Sequence, residues 1–168
     1  MFDKFGEFNS AEEINEAVAA QLAEGDMDAI YAIAEENGID KEDAEDYIDG
    51  IVPELVNPLM AALGKLKVET SDLKIEGILK EWEMYIEGMC ADSKEMSIAV
   101  RRKGKNLKDC MAALIKYAFE NKVRVNEKIV KATKVMHNGK LEDMRSPLYL
   151  GIPDKATASK IITDYYMK

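Results

Sequence analysis

The chain has 168 residues, 47% apolar and 33% charged, with a formal net charge of −9. These proportions suit one compact domain or two small ones, and they exclude collagen-like, Pro-rich and disordered architectures. No apolar run approaches the roughly 20 residues that cross a bilayer, so no membrane partner is expected.

The elements read mostly as helices. Ser10 and Glu13 form a capping box, Ile14, Val18 and Leu22 repeat at helical spacing, and Gly25 closes the turn. Asp26 caps the next helix, which carries Ile30, Ile33 and Ala34 and stops at Asn37-Gly38. Asp40 opens a short helix with Ala44, Tyr47 and Ile48, ended by Gly50. Pro53 suits the start of a helix bearing Leu55, Leu59, Leu63 and Leu66, with a kink or restart at Pro58. Ser71 or Asp72 would cap the long pattern Ile75, Ile78, Leu79, Trp82, Ile86 and Met89. Ser93 starts a helix with Met96, Ala99 and Val100, ended by Gly104. Asn106 caps the broad apolar face Leu107, Cys110, Met111, Leu114, Ile115, Ala118 and Phe119, and Asn126 caps Ile129 and Val130. Residues 134–152 break the helical pattern: Asn138-Gly139 is a hairpin-turn dipeptide, and Pro147 to Gly151 reads extended. Asp154 caps a last helix with Ala158, Ile161, Ile162 and Tyr165. The class predicted is mainly α, with a small β-hairpin or extended element near residues 134–152.

Charge is distributed unevenly. Residues 1–60 hold 17 carboxylates against Lys4 and Lys41, a net of −15, whereas residues 101–168 have a net of +9. An acidic helical region over 1–66 and a basic helical region over 72–168 are expected, as two units or as one continuous fold. Such asymmetry points to charged partners and steered association, or to two faces that attract each other within one fold.

Few chemistries fit the composition. His137 is the one histidine, and Cys90 and Cys110 are the only cysteines, with no Cys-x-x-Cys or His-x-x-x-His spacing. Both thiols are expected buried and reduced, His137 at a surface turn, and no metal or cofactor is predicted. The Gly-rich phosphate cradles are absent, and the many carboxylate pairs, such as Glu35-Glu36 and Glu45-Asp46, sit among other charges. Met1-Phe2-Asp3-Lys4-Phe5 lacks the basic stretch and apolar run of a secretory leader, so a soluble cytoplasmic protein without enzymatic activity is expected.

Two charged patches are candidate sites. Ala34 to Tyr47 has helix-turn-helix spacing, yet its second helix is acidic and would repel phosphates. What remains is an acidic surface, Glu35, Glu36, Asp40, Glu42, Asp43, Glu45, Asp46 and Asp49, shaped for a basic protein or simply for water. The densest basic patch, Arg101, Arg102, Lys103, Lys105 and Lys108, adjoins a helix start at Asn106 and could bind nucleic acid or pair with the acidic front.

The run Lys105-Asn106-Leu107-Lys108-Asp109-Cys110, preceded by Asp92 and Met96 and closed by Tyr165-Tyr166, resembles the PcfK-like family of conjugative plasmids and transposons. The resemblance covers roughly residues 92–168, and the acidic front looks like an extension that some members carry. Asp164 stands where the family usually has His before the paired Tyr. Some members are grouped with anti-CRISPR proteins that inhibit the type II RNA-guided Cas nuclease. The resemblance therefore implies a mobile genetic element and a non-enzymatic inhibitor. Its partner would be a type II CRISPR effector nuclease, which holds nucleic acid in basic channels that an acidic surface can occupy. The alternative is a conjugative-transfer accessory that binds DNA or a DNA-processing partner through the basic half.

Overall fold

A computed structural model describes residue 2 and residues 4–168. Met1 and Asp3, part of the stretch read for a leader, lie outside the described residues. The architecture is mainly helical, with two small antiparallel strand pairs.

Caps set most helix starts where the sequence places them. In α1 (Ala11–Glu24), Ser10 Oγ accepts the Glu13 N–H, and the Glu13 carboxylate accepts the Asn9 N–H at 2.7 Å. α2 (Met27–Glu36) is capped by Asp26, and α3 (Lys41–Ile48) follows a tight turn at Asn37-Gly38. A helix start at Pro53 does not form. Residues 51–57 are irregular, with Leu55 and Val56 buried, and the Asn15 side chain brackets Val56 by donating to its carbonyl and accepting its N–H. The restart at Pro58 prevails, since Asn57 Oδ1 accepts the Met60 N–H and Pro58 occupies the first helical turn, where no N–H is needed.

α4 (Pro58–Leu73) overrides a second expectation. Ser71 and Asp72 lie in its last turn rather than capping the next helix, because Leu66 and Leu73 keep its apolar face on the core. It ends at Lys74 in the left-handed region (φ 49°), and α5 (Ile78–Asp92) starts after Gly77. The charge break expected between 66 and 72 thus falls inside one helix. α6 (Lys94–Arg101), α7 (Leu107–Glu120) and α9 (Lys155–Met167) start on Ser93, Asn106 and Asp154 as their caps predict.

Two apolar clusters form. A front core joins α1, α2 and α3 with Leu55, Val56 and Ala61. A back core joins α4, α5, α6, α7 and α9 around Leu66, Trp82, Ile86, Leu107, Leu114 and Ile162. α4 belongs to both, giving Ala61 to the first and Ala62 and Leu66 to the second. Cys90 and Cys110 are buried free thiols in the back core, and burial pushes them up to about 11 and about 12.

Between α7 and α9 lies a smaller lobe. β1 (Val123–Arg124) pairs with β4 (Tyr149–Leu150), and α8 (Glu127–Ala132) precedes the hairpin of β2 (Lys134–His137) and β3 (Lys140–Asp143). Asn138 and Gly139 turn the hairpin with positive φ at both positions, as the dipeptide predicts. β1 escaped the sequence reading because two residues carry no period.

The front and back meet where two glycines touch. A Cβ on Gly38 would lie 2.2 Å from the Gly64 carbonyl oxygen, and a Cβ on Gly64 would lie 2.2 Å from the Asn37 carbonyl oxygen. Gly64 is mid-helix, where Ala is ordinarily better by about 1 kcal/mol. Gly64→Ala should therefore reverse that preference. It should destabilise the protein by about 2 kcal/mol or more in urea unfolding, because the turn must lift off α4. A stabilised variant would show that the close approach is absent.

Candidate functional site

The acidic candidates lie on α2, the turn and α3, and they divide by partner. The Glu36 carboxylate accepts the N–H groups of Lys4 and Phe5 (3.2 and 3.0 Å), which pins the N-terminal segment. Asp40 pairs with Lys67 at 2.7 Å instead of capping α3, and Glu45 pairs with Lys41 at 3.2 Å. Asp43 is half-buried beside the irregular stretch 51–57. Glu35, Glu42, Asp46 and Asp49 are exposed, and none of them has a cationic partner among the described residues. Ala44 and Tyr47 face inward and hold this rim outward.

A groove runs beside the rim. A cavity of about 1010 Å³ lies between the α2–α3 corner and α4, lined by Asp28, Tyr31, Glu35, Ile39, Val68 and Asp72. The Asp40–Lys67 ion pair stands at its edge. Beyond it, Glu83 is buried at 1% exposure with Lys80 Nζ at 2.5 Å, and this bond raises the Lys80 ammonium. Burial and the neighbouring Glu83 raise Glu87. No sequence signal singles out this pair, which sits on one helix among many charges.

The basic candidates fare differently. Arg101 leaves the expected patch: it is 1% exposed and spends its guanidinium inside the protein. Nε donates to Phe8 O (3.1 Å), Nη1 to Ala61 O (3.3 Å) and Nη2 to Asn37 Oδ1 (2.6 Å). Burial pushes it down to about 10, opposed by Glu7, Glu69 and Glu13, so it stays charged at neutral pH. Lys105 is also engaged, donating to Tyr165 O at 2.7 Å and standing over the Tyr165 ring. Arg102, Lys103 and Lys108 remain exposed.

Lys65, which sequence reasoning passed over, is fully buried and donates to the Arg102 and Lys105 carbonyls while pairing with Glu7 at 2.9 Å. Its neighbour Glu69 accepts the Leu107 N–H at 3.1 Å. Burial pushes Glu69 up to about 7, with Lys65 pulling it down. Among the described residues no ion pair joins residues 1–60 to residues 101–168; front and back are linked instead by the hydrogen bonds of buried Arg101 to Phe8 and Asn37, and by Lys65, which pairs with Glu7 and donates to the Arg102 and Lys105 carbonyls.

The residues that carry the family resemblance gather in space. Asn106 N–H donates to Tyr165 Oη at 2.8 Å, and Leu107, Cys110 and Tyr166 are all fully buried. Their place is structural: they lock α9 against the start of α7. Asp164 pairs with Lys168 at the surface. His137 is exposed on the hairpin, 3.7 Å from Glu142. Among the described residues no three His, Cys, Asp or Glu side chains gather as a metal centre would require, and no helix is long and apolar enough to cross a membrane. No protein-family model, curated protein or solved structure matches the chain.

Glu69 gives the junction a pH signature. The folded protein keeps this proton up to about pH 7, whereas the unfolded chain releases it near 4.5. The native state therefore binds more protons in that interval and loses stability as pH rises through it. Glu69→Gln should stabilise the protein by about 1 to 3 kcal/mol at pH 8 and change little at pH 5, read by urea unfolding at both. Equal effects at the two pH values would contradict a buried proton.

Proposed function

We propose that the chain is a binding protein of a mobile genetic element that inhibits a type II RNA-guided nuclease, its acidic rim competing for a basic nucleic-acid channel. The observation that carries this reading is the set of exposed, uncompensated carboxylates Glu35, Glu42, Asp46 and Asp49. Helix stability does not account for Asp46 or Asp49. Asp46 and Asp49 lie at the C-terminal end of α3, where the helix dipole disfavours negative charge by a few tenths of a kcal/mol or more. Their repulsion further disfavours the free protein, whereas a basic channel would relieve it. The nuclease as target rests on the resemblance of residues 92–168. The contribution of the rim is charge: such nucleases hold guide and target in positively charged channels and read backbone geometry there.

Rim charges act mainly on encounter, so Glu42→Lys, Asp46→Lys and Asp49→Lys together should slow association with a guide-loaded type II nuclease by about tenfold or more. Circular dichroism should be unchanged, and wild-type inhibition should weaken as salt rises. A folded triple variant that associates as fast as the wild type would overturn the rim as the binding surface.

One observation favours the second reading, a conjugation accessory that contacts DNA. Arg102, Lys103 and Lys108 stay exposed next to the start of α7. In that case, replacing the three by Ala should weaken DNA binding evenly across sequences. The salt dependence should flatten by about 0.9 of a slope unit per lost phosphate contact. No binding by the wild type at low salt would exclude it.

A further inference from the structure

The fold leaves one region with little core of its own. Nine of the large apolar side chains between residues 115 and 152 are exposed, while Val130 is buried at 1%. Both faces of the β2–β3 hairpin are largely open, and a lone two-stranded hairpin is marginal in water. The exposure is organised. β1 sets Val123 opposite Leu150, and directly opposed residues share a face. Gly151 rests against α7, since a Cβ there would lie 1.9 Å from the Ala118 carbonyl oxygen. This contact holds the β1–β4 ladder beside the last turns of α7. Ile115, Phe119, Val123, Leu150 and Ile152 are thereby brought to one neighbourhood, with Phe119 at 69% exposure and Val123 at 70%. An apolar patch of this kind marks an interaction surface.

Charge narrows the occupant. Residues 115–152 carry eight Lys and Arg against four Asp and Glu. Three of those four acids are already engaged: Glu127 with Arg124, Asp143 with Lys134, and Glu142 beside His137. Lys122 stands 4.8 Å from the Phe119 ring centre, and neither Lys116 nor Lys122 has an ion-pair partner among the described residues. The occupant must supply carboxylates and apolar side chains together. Nucleic acid would meet the cations but leave aliphatic Ile115, Val123, Leu150 and Ile152 without a match.

The chain itself presents such a surface. Glu42, Asp46 and Asp49 are exposed on and just after α3, and Ile51, whose N–H donates to Asp46 O at 2.9 Å, is 68% exposed beside them in the chain. Next to it lies a cavity of about 300 Å³ lined by Val52, Pro53, Leu55 and Met60 and edged by Asp43, Asp46 and Glu54. The acidic shelf belongs to the front core, and the apolar basic patch is attached to α7 of the back core. We infer that copies of this chain associate head to tail, the basic apolar patch around Phe119 of one copy seating on the acidic shelf of α3 and residues 51–57 of the next. The two surfaces differ, so the contact is heterologous and either closes into a ring or extends as a chain. The inference does not rest on the nuclease reading, although both engage the rim. Self-association would cover the carboxylates until a stronger basic partner displaces the neighbouring copy.

Sedimentation velocity on the full chain tests this. The wild type should form species larger than the monomer that grow with concentration. Its self-affinity should fall about tenfold or more between about 0.1 M and about 1 M salt, as the screening length shrinks from about 10 Å to about 3 Å. Lys116→Glu with Lys122→Glu should give a folded monomer, and so should Glu42→Lys with Asp46→Lys. Mixed one to one, these two variants bring together the intact shelf of one and the intact patch of the other, and the two reversed surfaces are again opposite in charge. The mixture should therefore regain species of twice the monomer mass or larger, which neither variant forms alone. Phe119→Ser, which leaves charge untouched, should also lose self-association. The Lys116→Glu, Lys122→Glu variant retains the rim, so its association with the nuclease should be at least as fast as that of the wild type. A wild type that stays monomeric at every concentration, a charge-reversed variant that assembles normally, or a mixture that stays monomeric would each overturn the inference. So would a monomeric wild type whose DNA mobility shift is abolished by Lys116→Glu and Lys122→Glu, which would assign the patch to nucleic acid.

Discussion

The guanidinium of Arg101 is the interaction on which the joining of the two cores depends. Its three nitrogens reach the N-terminal segment at Phe8, the first turn of α4 at Ala61 and the α2–α3 turn at Asn37. A buried charge is tolerated only when its donors are satisfied, and a planar fork with several N–H groups suits three acceptors in different directions better than an ammonium would. Asn37 is itself fully buried and donates back to Ile33 O, so Arg101 sets the orientation of the turn that follows α2. One residue later, Gly38 meets Gly64 at backbone distance. The ionic contact and the steric contact share one place, and each depends on the other holding the turn against α4.

Around this junction the charges sort themselves by solvation. Lys65 and Arg101 come from the middle of the chain and are drawn inside. There they pair with Glu7, with backbone carbonyls and with the field of Glu69. Buried ions of this kind add little net stability over apolar residues, because desolvation offsets most of the attraction. Their effect is geometric: they fix which segments meet. Four of the carboxylates without such partners lie on or at the end of α3, where the first-turn Glu42 and Asp43 favour the helix and the later Asp46 and Asp49 oppose it.

The lobe between α7 and α9 shows the opposite imbalance. It is attached through Gly151 and a two-residue ladder, exposes much of its apolar surface, and carries more cations than anions. Rim and lobe are therefore unsatisfied in complementary ways, one in charge and the other in both charge and apolar area. That complementarity separates a docking surface from scattered exposed side chains, which are ordinary on any protein.

Much of the fold was legible in the residues alone. Ser10, Asp26, Ser93, Asn106, Asn126 and Asp154 each cap the helix that follows them, and Asn138-Gly139 turns the hairpin. These signals are local: a cap or a turn is decided within three or four residues, and apolar periodicity within a few turns. The candidate site was legible only as composition. The sequence determined that the front is acidic and the back basic, that both thiols are buried in helices, and that the fold is mainly α. Tertiary structure alone decided that Pro58 and not Pro53 starts α4, that α4 runs past Ser71 and Asp72, and that β1 pairs with β4. It also decided that Arg101 lies inside while Arg102 beside it faces water. The acceptors for Arg101 stand 93, 40 and 64 residues away along the chain. Whether a charge is buried depends on partners that only folding brings within reach, so no local pattern could have separated Arg101 from its neighbour.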